Sequence, residues 1–351
     1  PTDGTNRTLT AAAMFSLLMP AYAERYGVSN DEVRYACAKI AEKSGYVSAT
    51  PNALDYLDEN EDEFERHFPA DFICEGQDQT RGWFYSLLAI STFVTGESPY
   101  KRVLVNDLIL DAEGKKMSKS KGNTADPFEL FDEYGADILR WYLLHVSPPW
   151  TPTKFDIEGL HEVDSKFYRT LKNVYYFFQL YANTDEIDPR GFEIPVEDRS
   201  RIDRWVLSRY NNLIDQVEAE MEKYDLTSAV RLIQTFVDED LSNWYIRRSR
   251  RRFWADEKDT DKKSVYLTTY EILTGLTKLI APFVPFLSEE LYQLLADGKS
   301  VHLEDYPEAD HELVDNHLED KMGLVRELVT LGRSARESEE LKVRQPIAQV
   351  L

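Results

Sequence analysis

Only two cysteines, Cys37 and Cys74, occur in 351 residues. That excludes a disulfide framework and a cysteine-based zinc site. Long apolar runs are missing too, none approaching the roughly 20 residues that a membrane-spanning helix needs. Basic charge is scarce, with 41 Lys and Arg against 63 Asp and Glu and a formal net charge of −22. Such a balance excludes nucleic-acid binding by bulk charge and leaves room only for a local basic patch. The six histidines (His67, His145, His161, His302, His311, His317) show no metal-ligand spacing and read as surface or capping residues. No Ser-His-Asp order stands out, and no internal repeat is present. The stretch Arg7–Arg25 imitates a signal peptide, with a short apolar run and an Ala21-Tyr22-Ala23 step, but reads equally well as an amphipathic helix. Few cysteines and no spanning segment imply a reducing, cytoplasmic setting; the acidic excess also suits a salt-adapted host.

What the sequence does have is a hydrophobic share of 42% and a charged share of 30%, a globular composition. Residues 1 to 55 read as helical: Ser29 or Asn30 can cap a helix whose Val33, Cys37 and Ile40 share a face. Asp55–Phe68 is acidic and reads as a solvated linker or face. From Pro69 the texture changes. Ala70–Gly76 predicts a strand ending in a polar turn, Thr80–Gly96 a helix stopped by Gly96, and Arg102–Leu110 one or two buried strands. Asp111–Lys116 predicts a tight turn. Strand, helix, strand and glycine-containing loop form the rhythm of half an α/β nucleotide-binding domain.

Asp126–Val146 then predicts a helix pair ended by Ser147-Pro148-Pro149. Beyond about residue 160 the pattern is helical. One face carries Ile202, Val206, Leu213 and Val217. A second carries Leu226, Val230, Ile233, Val237, Leu241 and Trp244, with Thr227 as the expected cap. A third carries Tyr266, Tyr270, Leu273 and Ile280, and Pro282 and Pro285 precede a helix around Leu287–Leu295. The predicted fold class is therefore α/β, a partial Rossmann-like domain over 56–160, followed by an all-α bundle over 161–310 and a further segment over 311–351.

Within this frame, Gly114–Asn123 (GKKMSKSKGN) packs four lysines beside two serines. Lys116 and Lys119, three positions apart on a serine-rich loop before Gly122, can close over a polyphosphate and neutralise charge on a departing pyrophosphate. The plain alternative is a solvated basic loop. Upstream, Glu75 ends a predicted strand, where open α/β sheets bind ligands, and can accept a hydrogen bond from a ligand amine or ribose hydroxyl. Gly76 lets backbone approach a ligand closely, and Asp78 and Gln79 add polar groups at a helix N-terminus. Downstream, Arg247, Arg248, Arg250, Arg251 and Arg252 follow Trp244 and Tyr245 on a predicted helix. Arginines reach phosphates and stack on unpaired bases. Trp244 lies on the apolar stripe and reads as core, and some arginines can instead pair with Asp238, Glu239 and Asp240.

Lys116-Met117-Ser118-Lys119-Ser120 is the KMSKS signature, and the chain in this respect resembles the class I aminoacyl-tRNA synthetases. Cys74–Phe84 (CEGQDQTRGWF) is similar to the isoleucyl form of the turn that holds the aminoacyl-adenylate. Leu241–Trp254 resembles the same enzymes' anticodon-binding helical domain, and Lys342–Pro346 a segment just beyond it. The resemblance spans roughly Pro69 to Leu351. It implies ATP with Mg2+, isoleucine and isoleucine tRNA as ligands, no zinc, and no membrane. It places the KMSKS residues on ATP, with Lys116 and Lys119 on the leaving pyrophosphate, Glu75, Gly76, Asp78 and Gln79 on the isoleucyl-adenylate, and part of the arginine set on tRNA.

The family's His-x-Gly-His element has no counterpart among these histidines, and neither the first half of the fold nor an inserted editing domain is recognisable. Hydrophobic pockets separate isoleucine from valine only weakly, which is why the family edits. Residues 1–55 match nothing expected upstream of the Glu75 turn. The departures leave a choice between an incomplete isoleucine–tRNA ligase that works with the missing N-terminal half, a non-catalytic tRNA-binding module, and a nucleotide-binding regulatory relative.

Overall fold

The computed structural model describes residues 66–118 and 122–346, apart from the side chains of Ile90, Phe93, Val94 and Thr95. The expected helix with Val33, Cys37 and Ile40, and the loop residues Lys119 and Ser120, lie outside the described residues. The chain divides into two compact units, one running to Leu108 and taking in Pro149–Thr151, the other formed by Ile109–Pro148 and Pro152 onwards.

In the first unit, β1 (Ile73–Gly76) pairs in parallel with β2 (Val103–Asn106), Glu75 opposite Val105 and Gly76 opposite Asn106. A parallel pair needs a crossover rather than a hairpin, and α1 (Trp83–Thr95) supplies it. As predicted, α1 stops at Gly96, whose φ of 77° is the left-handed conformation that glycine adopts without strain.

The second unit opens with β3 (Ile109–Leu110), parallel to β4 (Thr153–Lys154). Between them lie α2 (Pro127–Tyr134), capped by the Asp126 carboxylate, and α3 (Ala136–Val146). Arg102–Leu110 is thus two short strands, and both are less buried than predicted: Val103 and Ile109 are exposed. Each sheet has only two strands among the described residues.

The remainder is helical: α4 (Ile157–Val163), a π-helical turn, α5 (Arg169–Asp185), α6 (Arg201–Glu222) and α7 (Leu226–Thr235). From α7 the chain runs through π-helical turns at Phe236–Ile246 into α8 (Arg247–Phe253). Next come α9 (Thr260–Ile280), α10 (Pro285–Leu295) and α11 (Asn316–Ser338). The predicted stripes are internal: Val206, Leu213, Val217, Val230, Ile233, Val237, Leu241, Tyr266, Leu273 and Ile280 are all buried. The expected cap Thr227 is a correction. Asp225 caps α7 by accepting from the Ser228 amide, while Thr227 is buried and donates to Leu144 O at 2.7 Å. A helix start rich in Asp and Thr offers two local caps, and the neighbouring α3 claims one of them.

Helix α3 is locked to the π-helical turn before α5 and to α7. Trp141 stacks on Phe167 with centroids 3.6 Å apart and donates to Gln234 Oε1, while Arg231 Nε and Nη2 cap the last carbonyls of α3 at His145 and Val146. One apolar core therefore runs from Leu130 through Leu295, and Met117 packs against it. Gly275 lets α9 approach α6: a Cβ there would lie 2.2 Å from the Tyr210 hydroxyl and 2.8 Å from its Cζ. Because that ring is buried, Gly275→Ala is expected to destabilise the helical unit by about 1–3 kcal/mol through overpacking, read from urea unfolding. A change below about 0.5 kcal/mol would show that Tyr210 repacks freely.

Candidate functional site

Three groups of predicted residues are built by different elements. At the end of β1, Glu75 and Asp78 are exposed and Gln79 is half-buried. Residues Gln77–Arg81 make one 3₁₀ turn before α1. Gln79 Oε1 accepts from the Trp83 amide at 2.9 Å and so serves the first orphan donors of α1, while its Nε2 donates to Asp78 Oδ2 at 2.8 Å. Gln79 thus serves the start of α1 and also holds the Asp78 carboxylate. Gly76 is not in a special φ: its backbone is extended at φ −69°, and a Cβ would meet only Asp78 Oδ1, the movable end of an exposed side chain, at 2.8 Å. Gln77 Nε2 donates to Asp107 Oδ1 at 3.2 Å, tying the ends of β1 and β2 together. The turn thus presents two exposed carboxylates at the C-terminal edge of a parallel pair.

The lysine loop begins where β3 ends. Asp111 O accepts from the Gly114 amide at 2.9 Å, and Gly114 takes φ 80°, the turn conformation glycine favours. The chain then doubles back so that Lys116 bridges Leu110 in antiparallel fashion. Asp111 Oδ1 accepts from the Lys115 amide at 2.7 Å, and Asn123 Nδ2 donates to Asp111 Oδ2 at 2.7 Å. Those two bonds, the Asn123 one foremost, hold the Asp111 carboxyl below the ordinary carboxylate range. Asn123 Oδ1 also accepts from the Ser118 amide at 2.9 Å. Met117 is half-buried against the helical core and Lys116 is exposed. One side chain of the signature anchors the loop and its neighbour is left free to reach a ligand. Asp111 and Asn123 had no role in the sequence reading. The available signal was an Asp closing a strand and an Asn just beyond a glycine, the side chains that bond backbone in turns.

Helix α8 carries the arginines. Arg247, Arg248, Arg250 and Arg251 are exposed, whereas Arg252 faces inwards. Its Nη1 and Nη2 donate to Asp203 Oδ1 and Oδ2 at 2.7 and 2.6 Å, and its Nε donates to Asp261 at 2.9 Å. Burial alone would lower its pKa, but the Asp203 contacts outweigh that and raise it. The residue is committed to the core. The helical spacing carried the signal, because Tyr245, Ser249 and Arg252 are i, i+4 and i+7. The expected pairing with Asp238, Glu239 and Asp240 is also corrected. Asp240 is bound by Arg209 and Arg326, Glu239 by Arg326, and Asp238 accepts from Asn243. Trp244 is half-buried, as its stripe predicted; it donates to Met322 Sδ, and Arg248 and Arg326 lie 5.0 and 5.5 Å from its ring. Trp254 is 54% exposed beside the free arginines.

Among the described residues no cluster of three His, Cys, Asp or Glu side chains could hold a metal, and no helix is long and apolar enough to cross a membrane.

The family model for tRNA synthetases class I (I, L, M and V) matches residues 43–156, and that for the anticodon-binding domain of tRNA ligase matches residues 203–351. An isoleucine–tRNA ligase of Bacillus thuringiensis (strain Al Hakam) is 46% identical over 335 residues, 92% of this chain and 32% of that protein. The chain thus spans about a third of the length of the curated relatives it matches. A methionyl-tRNA synthetase of Mycobacterium tuberculosis in complex with methionyl-adenylate superposes with a TM-score of 0.58 at 20% identity, over 71% of this chain and 49% of that one. A LeuRS–tRNA–LeuAMS complex from Agrobacterium radiobacter K84 gives 0.55 at 23% identity, over 70% and 29%. These two share the fold, a partial Rossmann-like piece followed by a helical domain. With both of its family models matching in order along the chain, the protein belongs to the class I tRNA synthetases of the isoleucine, leucine, methionine and valine group.

Proposed function

We propose that the chain carries the KMSKS-loop half of the amino-acid-activating site, and the tRNA-binding helical domain, of an isoleucine–tRNA ligase. One observation carries this reading: the loop is built to hold Lys116 out of an acidic protein, its base fixed by Asp111 and Asn123 and its half-buried Met117 packed against the core. The relatives named isoleucine–tRNA ligase supply the substrate. In the first step the isoleucine carboxylate attacks the α-phosphate of ATP, giving isoleucyl-adenylate and pyrophosphate. Lys116 and Lys119 would screen the charge that builds on pyrophosphate, Ser118 and Ser120 would offer hydrogen bonds to the phosphates, and Met117 would anchor the loop. The terminal ribose hydroxyl of isoleucine tRNA then takes the isoleucyl group.

Glu75 and Asp78 suit the ammonium and ribose hydroxyls of the adenylate, with Gly76 and Gln79 shaping the turn. Mg2+ fits as a companion of the ATP phosphates rather than as a resident ion, since no described carboxylate cluster is arranged for it. Arg247, Arg248, Arg250 and Arg251 remain the residues proposed to meet tRNA, and Arg252 supports them from the core. The catalytic portion is assigned to 56–160, the anticodon-binding portion to 161–310, and the reaction to the cytoplasm.

A second reading is a tRNA-binding module without catalysis, carried by the four exposed arginines of α8. Isoleucine-dependent exchange of labelled pyrophosphate into ATP separates the two, with leucine, valine and methionine as controls. Exchange with isoleucine supports the ligase reading for the chain by itself. Salt-sensitive binding of isoleucine tRNA without exchange supports the module, or a ligase half that needs its histidine-bearing counterpart. Absence of both removes the proposal.

A further inference from the structure

We infer that Asp111 and Asn123 are positioning residues that fix Lys116 for pyrophosphate, a role that rests on the loop function proposed above. The two residues stand where the chain enters and leaves the loop, and their side chains join at 2.7 Å. Each also binds backbone beside Lys116. Asp111 Oδ1 takes the Lys115 amide at 2.7 Å, and Asn123 Oδ1 takes the Ser118 amide at 2.9 Å. Asn123 Nδ2 lies 3.4 Å from the Lys116 carbonyl oxygen as well, and the Asp111 amide donates to Lys115 O at 2.9 Å. The backbone before Lys116 is therefore tied to the Asp111 amide and carboxylate, and the backbone after it to the Asn123 side chain. Lysine carries its charge on a mobile four-carbon stem, so the backbone that launches it must be held if the ammonium is to meet the same phosphate each time.

The pair contains one donor face and one acceptor face, and this makes it testable. Asp111→Asn alone sets two amides donor to donor, and Asn123→Asp alone sets two carboxylates against each other. Exchanging both residues at once restores the side-chain bond and both backbone bonds, losing only the contact to the Lys116 carbonyl.

The experiment is calorimetric titration of inorganic pyrophosphate into the full chain and its Lys116→Ala, Asp111→Asn, Asn123→Asp and doubly exchanged variants. Circular dichroism melting reports the fold of each. Both single variants are expected to bind about tenfold more weakly, and the exchanged variant to recover most of that loss. Charge alone predicts otherwise, because Asp111→Asn removes a negative charge and would then bind pyrophosphate more tightly. Tighter binding by Asp111→Asn, or no recovery in a folded exchanged variant, overturns the inference. If Lys116→Ala weakens binding while both single variants bind as the parent does, the latch is wrong and the loop reading stands. If the parent does not bind pyrophosphate, or Lys116→Ala leaves binding unchanged, the loop reading itself fails and takes the inference with it.

Discussion

Arg252→Ala is expected to destabilise the helical unit by about 3–5 kcal/mol, the cost of breaking a buried ion pair from one side. Asp203 is fully buried at the start of α6 and accepts from both terminal guanidinium nitrogens of Arg252, from the Tyr245 hydroxyl at 2.7 Å and from the Ser200 hydroxyl at 2.8 Å. Removing the arginine leaves a carboxylate without a countercharge beside a tyrosine whose own ionisation is already suppressed by burial and by Asp203. Two hydroxyls cannot replace a bidentate guanidinium in a dry site, and Arg252→Lys keeps the charge without the fork. Arg248→Ala is the contrast. That side chain is exposed and lies over Trp244 at 5.0 Å, so its loss is expected to change stability by no more than about 1 kcal/mol. Urea unfolding of the parent and the three variants reads the difference. Equal stabilities for Arg252→Ala and Arg248→Ala would mean that the Asp203 pair is dispensable. The result also bears on RNA binding, because a loss of tRNA affinity in Arg252→Ala is then expected only alongside loss of fold.

Lys116→Ala is expected to lower isoleucine-dependent pyrophosphate exchange by about 10²–10³-fold, the usual cost of removing one preorganised group from developing charge. Lys116 is exposed while Met117 beside it packs on the core, so truncation to alanine removes the ammonium and leaves the loop anchor intact. The loss should fall mainly on turnover, with the Michaelis constant for isoleucine little changed, because an interaction made with departing pyrophosphate is made late in the reaction. Lys116→Arg should recover only part of the rate, since a planar fork does not replace a compact ammonium. The same exchange assay supplies these values. A wild-type rate in Lys116→Ala would move the pyrophosphate contact elsewhere in the loop.

Local patterns carried much of this protein into the sequence. The alternation of apolar residues every three or four positions marks α6, α7 and α9 because a helix must turn one stripe inwards whatever it packs against. Gly96 ends α1 for a reason contained in glycine itself. The signature loop and the Glu75 turn were legible because their residue types are chemically unusual where they stand: lysines in an acidic chain, and a glycine after a strand-ending carboxylate.

Tertiary structure decided which of several locally equivalent groups does what. Five arginines in six positions are alike in sequence, yet only Arg252 meets a buried carboxylate, and that carboxylate lies 49 residues earlier. Asp238, Glu239 and Asp240 were near enough to pair with those arginines, but α6 and α11 bring Arg209 and Arg326 closer to two of them. Asp225 and Thr227 could each cap α7 until α3 supplied a carbonyl for the threonine. Asp111 and Asn123, eleven residues of loop apart, became partners only when the chain folded back on itself. Periodicity fixes which side of a helix is buried, because it depends on backbone geometry alone. The identity of a polar partner depends on which distant segment arrives there, and only the assembled fold supplies that.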